Sequence, residues 1–584
     1  MRRNDLVIRI AGESGEGVVS VGDLVTQAAA RAGFYVLTFK TYPAEIKGGH
    51  VLYQLRLSDS HLTSHGDRID ILLAFNQEAY ESSYGQLRDE GLMIYDSAAF
   101  TPPLNGRCRH KAVPLSEIAE TQIRFKLGKS VVAVGVVAAM FGLNIEVIKR
   151  LLDERFARKG PDILAKNLLA LQAGVDFVET HIADRQEFQL YPGEVVPDVI
   201  VVSGNQALSL GAIAAGVQCF FGYPITPASE IMEFLAAELP KVGGQVFQVE
   251  DEMAALGMVL GASYAGSKAM TSSSGPGISL MTELLGLAAM AEIPCVVADV
   301  QRAGPSTGMP TKQEQGDLNL AVFGGHGEVQ RIVLAPTGVS DCFYQAVNAF
   351  NLSERYQLPV MLLSDTTLAT RTESIARPDL ATLDIWERER FATNGATPEG
   401  GDGYRRFQPT ESGVSPMSVP GQEGGAYVAT GLEHDEYGRP RYDAVSHSTM
   451  TKKRFRKLKT CVHEAPPAEH YGPYDAAVGL ITWGSTYGTA VEAVKLALAA
   501  GLSVACMAPK MLWPLPGRQI EPFLRGKHQI IVPEVNYSGQ FAELLQARYA
   551  LTVRKVNTYG GMPFTIREIL SAIEEACEEV LQNA

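Results

Sequence analysis

Apolar and polar positions along the 584-residue chain alternate between two periods. Short, mostly apolar runs at 6–11, 34–39, 51–57, 69–73 and 92–95 predict strands, the first of them buried. Between the first two, Val18, Val21, Leu24, Val25 and Ala28 recur at three- and four-residue intervals, the mark of a helix with one apolar face. The segment therefore opens as a strand–helix–strand unit, and the same spacing predicts helices over about 132–157 and 161–180. A second series of strands at 218–223, 244–249, 269–272, 295–300 and 360–363 alternates with helical patterns. That order implies a parallel sheet with helices on both faces. A third series at 477–482, 503–507, 528–532 and 551–556 ends in an amphipathic helix over 565–581.

Punctuation divides the series. Residues 191–197, with two prolines and a glycine, read as a linker, and 371–470 is long, rich in Gly and Pro, and without strong periodicity. The expected organisation is multidomain α/β, with domains at 1–190, 191–370 and 471–584 and a connecting segment at 371–470.

Composition narrows the class. Apolar residues make up 46% and charged residues 20%, enough to build several cores. A net charge of −14 argues against nucleic acid or an anionic membrane as main partner. The longest apolar run, 131–143, is too short to span a bilayer, and the charged start does not read as a signal peptide. Seven scattered cysteines without a CxxC fit neither a disulfide framework nor a zinc or iron–sulfur site, so no metal is expected on this chain and the expected setting is cytoplasmic.

Chemistry concentrates where strands end. In open parallel sheets ligands lie beyond the carboxyl ends of the strands. Tyr223, Asp251-Glu252, Ser273 to Gly277 and Gln301-Arg302 all fall at such ends. Asp251-Glu252 has two readings: an N-cap with a dipole-favourable glutamate in the first turn, or a carboxylate held to polarise a cofactor nitrogen. Arg302 can grip a carboxylate with two parallel bonds or sit in a surface ion pair. Near the start, Gly12, Ser14, Gly15 and Gly17 form a loop between strand and helix, where backbone amides attract phosphate. It is not the full dinucleotide fingerprint, and Lys40 stands where an acidic ribose ligand would be expected. Lys47, in Glu45-Ile46-Lys47-Gly48-Gly49, offers a second cation, and a tight turn that binds nothing is the competing reading. Gly401-Asp402-Gly403 resembles the start of a diphosphate-binding motif, but no Asn occurs in 427–435, so it reads as a turn.

Taken together, Tyr223-Pro224-Ile225-Thr226-Pro227, Glu252-Met253-Ala254-Ala255, Ser273-Ser274-Gly275-Pro276-Gly277, Val300 to Gly308 and Glu534-Val535-Asn536 with Gly539-Gln540 resemble the α subunit of 2-oxoacid:ferredoxin oxidoreductases. The first domain resembles that family's γ subunit, fused in front. The resemblance implies a γ-like domain, a pyrimidine-binding domain of thiamine-diphosphate enzymes and a transketolase C-terminal-like domain. It implies thiamine diphosphate shared with a β subunit that carries Mg²⁺ and a [4Fe–4S] cluster, ferredoxin as acceptor, CoA as co-substrate and an (αβ)₂ heterotetramer. Glu252 matches the glutamate that bonds the cofactor's aminopyrimidine, with Tyr223, Pro224, Ile225, Thr226, Ser274, Gly275 and Pro276 around it. Thr226, Arg302 and Thr311 match substrate contacts, and Gly12, Ser14, Gly15, Gly17, Lys40 and Lys47 are the expected CoA contacts. The implied reaction is oxidative decarboxylation of 2-oxoglutarate to succinyl-CoA, with pyruvate or branched-chain 2-oxo acids as alternatives. A nucleotide-linked dehydrogenase and a non-catalytic assembly subunit are the readings from other classes.

Overall fold

The computed structural model describes residues 5–43, 48–103, 106–183, 190, 198–392 and 403–583. Lys47, the punctuation at 191–197 and the Gly401-Asp402 pair lie outside these residues. The chain divides into two compact units, Met1–Val202 with Thr370–Arg377, and Ser203–Ala369 with Pro378–Ala584.

The strands of the first unit are β1 (Asp5–Glu13), β2 (Tyr35–Thr41), β3 (His50–Ser58), β4 (Ile69–Ala74), β5 (Leu87–Asp96), β6 (Arg109–Val113) and β7 (Val199–Ser203). In the second unit β8 (Cys219–Gly222), β9 (Gln245–Gln248), β10 (Ala269–Ser273), β11 (Cys295–Gln301), β12 (Ile332–Leu334) and β13 (Pro359–Asp365) follow. The chain then returns to the first unit for β14 (Thr372–Ala376). It finishes in the second with β15 (Glu469–Tyr471), β16 (Val478–Ile481), β17 (Val504–Ala508), β18 (Met511–Trp513), β19 (Gln529–Glu534) and β20 (Arg554–Asn557).

The first sheet runs β6-β5-β4-β1-β3-β2-β14-β7. The strand–helix–strand unit expected at the start is opened by β3, which lies between β1 and β2 and is antiparallel to both. Nine of its residues pair with β1, so long apolar alternation outcompetes a direct β1–β2 contact. The helix expected over 132–157 is two helices, Lys129–Phe141 and Ile145–Phe156. Gly142 takes a left-handed φ of 76° and the Asn144 side chain accepts from the Glu146 and Val147 amides, so a C-terminal glycine and an N-cap split one apolar pattern. Helix Lys129–Phe141 lies against Pro161–His181 at Gly135 and Gly174. A Cβ on either would come 2.2 Å from a carbonyl oxygen of the facing helix, so only glycine permits this approach.

The central sheet of the second unit runs β18-β12-β13-β11-β10-β8-β9, parallel throughout except where β18 joins β12 antiparallel. The third sheet runs β15-β17-β16-β19-β20. One apolar core spans both sheets and includes Val297 and Met361 of the central one with Trp483 and Phe541 from the C-terminal part. The last strand begins at Arg554 rather than at 551, because Leu551 and Val553 pack into that core before the sheet is reached. Residues beyond 378 are laid on the same unit through buried charge. Arg388 pairs with Glu354 at 2.6 Å, and Lys453 and Lys457 of helix Ala444–Cys461 both reach Glu292 at 2.6 Å.

Candidate active site

Because β8, β10, β11 and β13 are parallel, their carboxyl ends share one edge of the sheet. Tyr223 to Thr226 leave β8 there, with Tyr223, Pro224 and Thr226 exposed and Ile225 half-buried. The Ile225 carbonyl accepts from the Ser229 amide and so begins helix Ser229–Glu238.

Asp251 and Glu252 open helix Glu252–Tyr264, and the two carboxylates have separate partners. Asp251 caps the helix, accepting from the Ala254 amide at 2.7 Å. Glu252 is buried, only 6% exposed, and turns toward the end of β10, where the Ser273 hydroxyl donates to it at 3.5 Å. Gly277 makes room for it. A Cβ there would stand 2.0 Å from Ser273 Oγ and 2.5 Å from Glu252 Oε1. A carboxylate held in a glycine-lined seat by one distant hydroxyl keeps lone pairs for another donor. The adjacent Ser274 hydroxyl is buried without a partner among the described residues.

Arg302, at the end of β11, donates to the Thr226 carbonyl at 2.7 Å and ties the β8 and β11 ends together. Its Nε is buried without a partner among the described residues. Burial lowers the guanidinium pKa, and the charge of Asp317 opposes that shift. Beyond Arg302 the chain doubles back: Ala303 donates to the Lys312 carbonyl and accepts from Met309, which returns the segment carrying half-buried Thr311 to the end of β11. Thus Arg302 and Thr226 are joined at the edge where Glu252 lies and where Ser274 stands at the N-cap of helix Gly275–Met290.

Two acids there were not singled out by sequence. Asp299 lies within β11, wholly buried, with both oxygens unpartnered among the described residues. Burial first, and then the charge of Asp317, push its pKa well above the usual carboxylate range. Asp317 sits where a Cβ on Gly275 would touch its carboxylate at 2.8 Å. Burial and the neighbouring Glu314 raise it to about 6, against the pull of Arg302. The available signal was an aspartate inside an unbroken apolar run, Cys295-Val296-Val297-Ala298-Asp299-Val300.

In the first unit the glycine loop folds onto its own acid. Glu16 accepts from the Glu13 amide at 2.7 Å, from Asn76 and from Lys129, both at 2.8 Å. Gly12 packs against Glu16 and Phe75, while Gly15, with nothing within 4 Å of its Cβ position, and Gly17 line a cleft of ≈ 630 Å³. Its cations are Lys126, Lys129, Arg155 and Lys159. Lys40 does not line it. That side chain donates to Thr372 at 3.2 Å and lies 3.4 Å from Asp23. The Ser14 amide donates to the Gly49 carbonyl at 3.0 Å. Among the described residues no group of three or more His, Cys, Asp or Glu is placed to hold a metal, and no helix is long and apolar enough to cross a membrane.

Comparison with known proteins places these features. Three family profiles match, described as pyruvate ferredoxin/flavodoxin oxidoreductase over residues 7–177, the thiamine-diphosphate-binding region of pyruvate flavodoxin/ferredoxin oxidoreductase over 210–453, and pyruvate:ferredoxin oxidoreductase core domain II over 476–569. The chain is 35% identical to the 2-oxoglutarate oxidoreductase subunit KorA of Mycobacterium tuberculosis, over 97% of this chain and 91% of that one. It is 32% identical to the α subunit of 2-oxoacid:ferredoxin oxidoreductase 2 of Aeropyrum pernix, over 98% of each. A solved 2-oxoglutarate:ferredoxin oxidoreductase from Magnetococcus marinus, with 2-oxoglutarate, coenzyme A and succinyl-CoA bound, superposes with a TM-score of 0.92 at 41% identity, covering 99% of this chain and all of that one. With a thiamine-diphosphate-binding region behind Glu252 and relatives matched along almost their whole length, the chain belongs to the 2-oxoacid:ferredoxin oxidoreductase family, as an α-subunit chain that carries its own N-terminal domain.

Proposed function

We propose that this chain is the α subunit of a 2-oxoglutarate:ferredoxin oxidoreductase, holding the aminopyrimidine end of thiamine diphosphate and the carboxylate of the 2-oxo acid. The observation that carries the reading is the buried Glu252 carboxylate, relieved of helix capping by Asp251 and open to one more donor. The orphaned Ser274 hydroxyl beside it fits a polar heterocycle as well, and Gly277 leaves Glu252 the room to reach that place. When bound, the cofactor supplies the carbon at which a 2-oxo acid loses CO₂. The chain's own share is placement. Glu252 accepts a proton-bearing ring nitrogen, while Tyr223, Pro224, Ile225, Gly275 and Pro276 wall the ring. Arg302 takes the substrate carboxylate, and Thr226 and Thr311 donate to its oxygens. Burial makes the arginine's grip stronger by excluding competing water.

A β subunit completes the site in this reading, with the cofactor's diphosphate, Mg²⁺ and a [4Fe–4S] cluster that passes electrons to ferredoxin, in an (αβ)₂ assembly in the cytoplasm. The names of the relatives support 2-oxoglutarate over pyruvate and branched-chain acids. CoA is assigned to the cleft of the first unit, where Gly15, Gly17, Arg155 and Lys159 suit its phosphates, while Lys129 and Lys126 pair with Glu16 and Glu120. Gly12 and Ser14 shape that loop. Lys47 lies outside the described residues, and Lys40, paired with Asp23, stands off the cleft.

Co-purification of the complex followed by a panel of 2-oxo acids with CoA and a low-potential dye tests the proposal. The expected result is a smaller chain carrying thiamine diphosphate and iron–sulfur, with 2-oxoglutarate reducing the dye fastest as it is oxidised to succinyl-CoA and CO₂. Iron–sulfur bound to this chain alone, or NAD(P)⁺ serving as acceptor, would overturn it.

A further inference from the structure

The loop that follows Arg302 is exposed from Gly304 to Met309, so its place is set by its two feet. One foot is β11. The other is a short run, Gln313 to Asp317, whose alternate side chains enter the boundary between the central and C-terminal sheets. Gln315 is 0% exposed and its amide makes all four bonds available to it. The nitrogen donates to Asp365 at 3.2 Å and to the Trp483 carbonyl at 3.3 Å, and the oxygen accepts from Thr486 at 3.2 Å and from the Val535 amide at 3.3 Å. Its backbone is held as tightly, donating to the Val535 carbonyl at 2.6 Å and accepting from Asn536 at 3.0 Å. Two residues earlier, Gln313 donates to Ser485 at 3.2 Å and accepts from the Thr367 amide at 2.8 Å. Gln540 closes the set, donating to the Gly316 carbonyl at 2.7 Å and accepting from the Asn319 amide at 2.8 Å.

Any shift of this run would leave the buried partners of Gln315 unsatisfied, so the network holds the run to one register. Here the register it selects is that of the loop returning Thr311 to the end of β11. We propose that Gln315, supported by Gln313 and gripped by Val535, Asn536 and Gln540, is a positioning residue for the 2-oxo acid, through which the C-terminal sheet sets the spacing of Arg302 and Thr311. This rests on the reading that those two residues hold the substrate. It also gives a task to the Glu534-Val535-Asn536 motif, which lies away from the substrate groups.

The test uses the complete enzyme with Gln315→Met, Gln540→Met and the double variant, measured beside Arg302→Lys. For Gln315→Met the KM for the 2-oxo acid is expected to rise about tenfold, the equivalent of roughly one lost hydrogen bond, while KM for CoA stays put and kcat changes little. Gln540→Met is expected to move the same constant in the same direction, and the double variant to fall short of the product of the two. Gln540→Met carries the test alone if Gln315→Met does not assemble. An unchanged 2-oxo acid KM in assembled enzyme, with Arg302→Lys shifting it, would overturn the clamp while leaving the substrate site standing. A parallel loss in kcat and in both KM values would also overturn it, as general damage. If Arg302→Lys leaves that KM unchanged too, the substrate reading fails and the clamp falls with it.

Discussion

Asp251 and Glu252 are adjacent acids with divided tasks, and the division can be measured. Glu252→Gln leaves the cap and the volume of the seat intact, so the melting temperature should stay close to that of the native chain. Turnover should fall roughly 10²–10⁴-fold, the range of a lost acid–base partner. Turnover within a few-fold of native would remove Glu252 from the cofactor site. Asp299 has the opposite character, since it is buried where nothing described accepts or donates to it. Burial and then Asp317 hold its pKa well above its ordinary value. Between those two values the folded chain keeps a proton that the unfolded chain releases, so this group removes stability as pH rises. Asp299→Asn carries no such proton. Its melting temperature should therefore drop less than the native one between pH 5 and pH 8, and equal drops would show that Asp299 ionises normally. Neither behaviour can be read from residue order, because the distance to Ser273 and the burial of β11 exist only once helix and strands meet.

At the scale of an element, helix Ala444–Cys461 is the instructive case. Its Thr451-Lys452-Lys453-Arg454-Phe455-Arg456-Lys457-Leu458-Lys459 stretch falls within the connecting segment at 371–470, where no strong periodicity marks a helix. The structure buries Lys453 and Lys457, 2% and 0% exposed, against Glu292. Arg406 adds a bond to the Glu292 carbonyl at 2.8 Å. Burial would raise the Glu292 pKa, but Lys453, Lys457 and Arg406 outweigh it and hold the carboxyl below its usual range. Burial pushes Lys453 down to about 8 and Lys457 to about 7. Removing the one acid leaves two buried ammonium groups facing each other. Glu292→Gln should thus cost about 3–5 kcal/mol and release the segment beyond 378 to limited proteolysis. A variant as stable and as protease-resistant as the native chain would mean that the strap is held by its apolar contacts instead. Apolar periodicity cannot register such a helix, because its anchoring face is charged.

On the scale of the whole chain, the first sheet is finished only after the central sheet has been threaded. β14 lies between β2 and β7, and Ser374 Oγ accepts from the Val36 amide at 2.9 Å. A fragment ending at residue 202 therefore leaves the β2 edge open. Such a fragment is expected to melt lower and aggregate more than one carrying residues 370–377 on a flexible extension, as read by thermal unfolding and light scattering. Identical behaviour would show that β14 is dispensable. Similarly, β18 leaves the C-terminal sheet to extend the central one, which merges their cores. Local pattern says nothing of these exchanges, since a strand's neighbour is chosen by packing among elements far apart in sequence.

What the amino-acid sequence determined by itself was local. Apolar runs and helical spacing placed most of the long strands and helices, because burial and backbone periodicity act within a dozen residues. Parallel order put Tyr223, Glu252, Ser274 and Arg302 at strand ends, and their motifs pointed to the family. Tertiary structure alone decided the rest. It assigned the cap to Asp251 and freed Glu252, broke the long helix at Gly142, committed Lys40 to Asp23, and buried Gln315 between two sheets. Each depends on groups brought within a few ångströms from distant parts of the chain, where desolvation and hydrogen-bond partners, rather than spacing, set what a side chain does.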